Sequence, residues 1–197
     1  MNYEIKKFEL PELDGISKES VAQHIGLYEA YVKNFNAVSA AIEDLLKDPE
    51  KNALAIAELR RRHSFEFDGM KLHELYFPQF EGAPTPLPEG STLAQALAKH
   101  WGSVDAAIAR MRQTGMMRGP GWSILYYNQE TRAFHMGFVE EQHQGHFATL
   151  PIIVALDVWE HAFLLDYGAS GKAKYIDAFF KNINWSVIEQ RFAAVAK

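Results

Sequence analysis

From about Lys18 to Leu46, the apolar residues Val21, Ile25, Tyr28, Val32, Phe35, Val38, Ile42 and Leu45 recur at spacings of three and four. That is the stripe of an amphipathic helix with one face turned to a core. Lys47-Asp48-Pro49-Glu50 ends it. A second helical stretch runs from about Asn52 through Leu59, passes an irregular or kinked region near Ser64 and continues toward Tyr76, where Pro78 stops it. Two long helices joined by a short turn predict a helical hairpin. The run from Glu81 to Gly90, rich in Pro and Gly, reads as a linker between two halves.

Beyond the linker, Ser91 to His100 and Ser103 to about Arg112 predict two short helices, the second capped by Ser103 with Asp105 near its start. The pattern then changes. Trp122 to Tyr127 and Ala133 to Glu140 are aromatic and β-branched runs separated by Asn128 to Arg132, which predicts a hairpin. Pro151 to Leu156 reads as a third, buried strand that delivers Asp157 at its C-terminal end, and helices close the chain. The expected fold is α+β. Residues 1–82 form a long α-helical hairpin, and 91–197 form a half with a three-stranded antiparallel sheet flanked by helices.

Composition narrows the function classes. A chain of 197 residues with 48% hydrophobic content can bury a sizeable core. A formal charge of -5 argues against nucleic-acid binding, and Arg60-Arg61-Arg62 is too short a run to overturn that. With no cysteine, disulfides, thiolate ligands and thiol chemistry are excluded. Neither a signal-like N-terminus nor a membrane-length apolar run is present, so the expectation is a cytoplasmic protein without membrane contact.

The stretch Asp157-Val158-Trp159-Glu160-His161 sets a carboxylate and an imidazole four residues apart. On a helical turn that spacing brings both side chains to one ion. An Asp oxygen with a His nitrogen suits iron or manganese. Spacing alone also fits an ordinary surface ion pair, so the wider sequence decides.

Leu156 to Phe163, followed by Tyr175-Ile176-Asp177-Ala178-Phe179-Phe180 and Asn182-Ile183-Asn184-Trp185, resembles the C-terminal signature of the iron/manganese superoxide dismutases. Arg118-Gly119-Pro120-Gly121-Trp122, His73 in Leu72 to Phe77, and Tyr31-Val32-Lys33-Asn34-Phe35-Asn36 extend the similarity over nearly the whole chain. The resemblance implies one Fe or Mn ion per subunit, held between the halves by His24, His73, Asp157 and His161. The activity implied is dismutation of superoxide, and the assembly a homodimer. Relative to the Tyr31 landmark the family's first ligand falls on Gln23. His24 is the one imidazole before Tyr31, so its assignment implies a one-residue deletion that removes a helix irregularity such as a π-bulge.

The same resemblance gives the remaining roles. Tyr31 matches the gateway tyrosine of the proton relay, while the usual gateway histidine corresponds to Leu27 or Tyr28. The Gln that iron-type members often carry four residues before the second ligand is replaced by Gly69. His143 is then the expected partner for the metal-bound solvent, with Gln142 and Gln144 as competitors. Trp122 and Trp159 are expected to wall the site from water. Glu160 is expected to pair with the partner subunit's His161, with Tyr175 in the same interface. Lys172, Lys174 and Lys33 are the cations available to attract an anionic substrate, or ordinary solvated charges. Two rivals remain at this level. One is a non-catalytic binding or structural protein on the same fold. The other is a di-iron carboxylate protein, which the single Glu140-Glu141-Gln142-His143 motif suggests and the lack of a second copy opposes.

Overall fold

Ser17 opens the first helix by accepting a hydrogen bond from the Ser20 amide at 3.1 Å. In the computed structural model, which describes residues 2–196, α1 spans Lys18–Leu45 and α2 spans Ala53–Tyr76. Asn52 closes the turn between them by donating to the Leu45 carbonyl. Both helices are uninterrupted. The irregularity expected near Ser64 is absent, because Ser64 lies on the exposed face and turns its hydroxyl back to the Arg61 carbonyl without breaking the helix. Pro78 tightens the chain into a 3₁₀ turn over Phe77–Phe80.

After the linker, Ser91 caps α3 (Thr92–Trp101) and Ser103 caps α4 (Val104–Gly115), each accepting from the amide three residues on. Strands β1 (Gly121–Asn128), β2 (Ala133–Glu140) and β3 (Ile152–Asp157) form an antiparallel sheet in the order β2-β1-β3. β1, in the centre, is buried at every position but its last, which matches its apolar run. The chain ends in α5 (Leu164–Tyr167), α6 (Lys172–Asn182) and α7 (Trp185–Val195), and Phe179, Ile188 and Phe192 carry their packing into the core. No helix among the described residues is long and apolar enough to cross a membrane.

β3 is an edge strand, and its outer edge is sealed by side chains. The Gln79 amide donates to the Ala155 carbonyl at 2.7 Å and accepts from the Ala155 amide at 2.9 Å. Arg191 donates to the Ile153 carbonyl at 2.9 Å and to the Leu75 carbonyl at 2.8 Å. Unpaired backbone groups in a buried edge are costly. These bonds satisfy them and tie the strand that carries Asp157 to the end of α2.

Candidate metal centre

Three elements converge on one point. α1 contributes His24 and α2 contributes His73, while the end of β3 and the turn after it contribute Asp157 and His161. One donor atom from each lies within 4.8 Å of the others, and this is the one such group among the described residues. Metal–ligand bonds of about 2.0–2.2 Å allow donors across an ion to stand roughly that far apart. His24 is 4% exposed, inside the helical stripe, with Nε2 3.2 Å from Asp157 Oδ2. Seven residues separate it from Tyr31, nearly two helical turns, so both point inward from an unbroken helix.

Asp157 and His161 meet by a route other than a turn of α-helix. Asp157 is the last residue of β3, and the chain turns sharply after it as Asp157 Oδ1 accepts from the Trp159 amide at 2.8 Å. A 3₁₀ turn over Glu160–Ala162 then returns His161 Nε2 to within 3.0 Å of Asp157 Oδ2. The four-residue spacing thus works through a strand end and an Asx turn.

His73 shows most plainly that the cluster is built for an ion. Its Nδ1 is 2.6 Å from the Gly69 carbonyl, an acceptor only, so that nitrogen carries the proton and Nε2 holds the lone pair. Nε2 is buried, has no hydrogen-bond partner and lies 3.7 Å from Asp157 Oδ2. A cation would satisfy it. Burial, with His24 alongside, pushes the His73 imidazole down to about 3. Burial also lowers His24 against the opposing pull of Asp157. Burial pushes Asp157 upward, but His161 and the bonds from His161 and His24 outweigh it and hold the carboxyl well below its ordinary range. Neutral imidazoles around a carboxylate are the protonation states a divalent or trivalent ion requires.

Around this core, Trp122 is fully buried and meets His73 edge-on at 5.2 Å between centroids, while Trp159 stacks on His161 at 5.7 Å. Tyr31 lies against His73 at 5.3 Å. Its hydroxyl accepts from Gln142 Nε2 at 2.9 Å, and Gln142 Oε1 accepts from the Trp122 indole at 2.8 Å. Since an indole N–H can only donate, the Gln142 amide has one orientation, and the Tyr31 proton is left free to point toward the site. Burial and the nearby Asp157 charge raise the Tyr31 phenol, which keeps that proton in place.

His143 is not in this chain of bonds. It sits against Phe65 at 5.6 Å, with Nδ1 3.8 Å from Glu141 Oε2, and Gln142, one of its two competitors for the solvent-partner role, is the residue bonded to Tyr31. The turn decides between the two. Glu140 and Gln144 exchange backbone hydrogen bonds, Glu141 adopts φ 51°, and Gln142 is the residue this tight reversal buries. Gly69 explains why the amide comes from here, since a Cβ at Gly69 would lie 2.5 Å from the Tyr31 ring. Tyr175 also departs from expectation. It is fully buried within the subunit, its hydroxyl 3.0 Å from that of Tyr76, so no partner surface reaches it. Of the two gateway positions, Tyr28 is buried and accepts from the Lys6 amide, whereas Leu27 is exposed in a cleft that also contains His161. Lys172 lines a second cleft at His161 beside Glu160, while Lys33 is paired with Glu29. Gln79 was not singled out from the sequence; a Gln between Pro78 and Phe80 reads as a turn residue.

Comparison with known proteins agrees with this geometry. A family model described as iron/manganese superoxide dismutases, C-terminal domain, matches residues 88–191. The chain is 31% identical to a protein named superoxide dismutase [Fe] of Saccharolobus solfataricus, over 97% of this chain and 96% of the relative. It is 30% identical to that of Sulfolobus acidocaldarius over 95% and 94%, and 31% identical to that of Cupriavidus metallidurans over the full length of both. With four ligand-type residues gathered on a matching fold and relatives aligned end to end, the chain belongs to the iron/manganese superoxide dismutase family.

Proposed function

We propose that the chain is a superoxide dismutase, an oxidoreductase that works at His24, His73, Asp157 and His161 with one iron or manganese ion per subunit, as a homodimer in the cytoplasm. Two superoxide anions and two protons become one oxygen and one hydrogen peroxide. An iron or manganese ion held there would supply the one-electron redox chemistry that this exchange between two superoxides needs. Protein side chains do the rest. His24, His73, His161 and the Asp157 carboxylate would hold the ion, Trp122 and Trp159 would keep bulk water from it, and Tyr31, oriented by Gln142, holds a proton facing the reacting centre. The halves 1–82 and 91–197 act as the two jaws of the site.

The observation that carries this reading is the buried lone pair of His73 Nε2 pointing into a cluster of three further donors. It also counts against the non-catalytic alternative, since a degenerate site has no reason to leave a buried nitrogen unsatisfied. The donor set suits iron and manganese alike. The relatives carry iron in their names, whereas this chain places Gly69 where iron-type members often have their glutamine. The two leanings oppose each other, and we take the enzyme to be cambialistic. The dimer is supported by exposed Leu27, Leu164 and Leu165 on one side of His161 and exposed Met116 and Met117 on the other. A second copy covering this face brings its His161 to Glu160.

The test is superoxide decay with metal-loaded parent, Asp157→Asn and His161→Ala. Bound metal and activity are expected to fall together in both variants; a variant that retains both removes that residue from the site.

A further inference from the structure

The residue that orients the Tyr31 hydroxyl, Gln142, sits in a turn rather than on a helix or strand, and turns are mobile unless something holds them. Its neighbours are held closely. The Glu141 amide donates to the Pro120 carbonyl at 3.1 Å and the Glu141 carbonyl accepts from the Trp159 indole at 3.1 Å. Gln142's own carbonyl is bound by one side chain, His146, whose Nε2 is 3.1 Å away. The other ring nitrogen, Nδ1, is 2.8 Å from the hydroxyl of Tyr126, a buried residue of the central strand β1.

These contacts fix the tautomer. A carbonyl can only accept, so His146 Nε2 carries the proton, and in the neutral ring Nδ1 is then an acceptor for the Tyr126 hydroxyl. The result is a directed chain from β1 to the turn: Tyr126 hydroxyl to His146 Nδ1, His146 Nε2–H to the Gln142 carbonyl, and from the Gln142 side chain to Tyr31. We propose that His146 is a positioning residue for the reaction, with Tyr126 as its anchor, and that it sets where the Gln142 amide stands relative to Tyr31 and Trp122. This deepens the dismutase reading and rests on it.

Two of the chain's four tryptophans report on the turn directly, because Trp122 donates to the Gln142 side chain and Trp159 to the Glu141 carbonyl. The experiment records indole N–H signals by nitrogen-15 NMR on the full-length metal-free chain for the parent, His146→Phe and His146→Gln. Alongside, it measures kcat, KM and metal content of the metal-loaded forms. His146→Phe is expected to shift the Trp122 and Trp159 signals and leave Trp101 and Trp185 in place. It is also expected to lower kcat about tenfold, the scale typical of outer-sphere partners, with metal content unchanged. His146→Gln, which can present an N–H near the position of Nε2, is expected to restore the signals and most of kcat.

Unshifted Trp122 and Trp159 signals in His146→Phe overturn the proposal, as does a His146→Gln form no better than His146→Phe. If His146→Phe does not fold, Tyr126→Phe replaces it, with a smaller shift of the same two signals expected and no shift overturning the proposal. If the parent binds metal without consuming superoxide while the indole pattern holds, the dismutase reading fails and the positioning of Gln142 stands; an active parent with unmoved indoles is the reverse.

Discussion

His73 is the ligand residue most tightly constrained by its surroundings, with Nδ1 committed to Gly69 and Nε2 buried without a partner. Its ionisation predicts how the metal-free protein responds to acid. Burial lowers His73 from 6.5 to about 3 and also lowers His24. Below pH 6.5 the unfolded chain therefore binds protons that the folded chain refuses, and stability falls as pH falls from about 6.5 toward 3. Asp157, lowered as well, adds a loss of the same sign below the ordinary carboxylate range. Between pH 6.5 and 4.5 His73 alone is expected to cost about 2 kcal/mol, which urea unfolding of the metal-free chain measures; a flat profile contradicts the burial of neutral imidazoles. Gly69 supplies a second residue-scale prediction. Gly69→Ala trades about 1 kcal/mol of helix propensity against displacement of the Tyr31 ring. The variant is expected to keep its metal and fold but lose at least half its turnover, and parent-level kinetics would mean that the ring has room to move.

At the scale of elements, the periodic stripe made α1 legible, while His24 and Tyr31 were legible only through the family resemblance, and the regular helix turns both inward. The strands were legible from their aromatic and β-branched runs. What the sequence concealed lies where the backbone is irregular. The choice between Gln142 and His143 depends on the φ of Glu141 and on a reversal that no periodicity encodes. The meeting of Asp157 and His161 was anticipated through a helical turn and occurs through an Asx turn at a strand end. Gln79 was hidden for another reason, since its partner Ala155 is 76 residues distant. Replacing it tests whether edge sealing positions the site. Gln79→Leu leaves both Ala155 backbone groups unsatisfied and is expected to cost roughly 2–4 kcal/mol, with a matching loss of metal affinity because Asp157 lies two residues on. Chemical denaturation with parallel metal titration measures both, and destabilisation without weaker metal binding would place Gln79 in the core's service alone.

For the whole molecule, a net charge of -5 opposes capture of an anion, so attraction must be local, and Lys172 is the lysine that lines a cleft at His161. The apolar side chains around the same histidine frame the proposed dimer face. Leu164→Glu places a charge in that face and is expected to convert a dimer into monomers, read by sedimentation equilibrium; a parent chain that is already monomeric contradicts the dimer. The central claim is that one buried cluster binds a redox metal and uses it on superoxide. Its most direct test is to strip the purified chain of metal, reload it separately with iron and with manganese, and measure bound metal per subunit and superoxide decay on the same samples. The expected result is about one ion per subunit and catalysed decay with either metal. An ion bound without catalysed decay, or no ion bound at all, would contradict it.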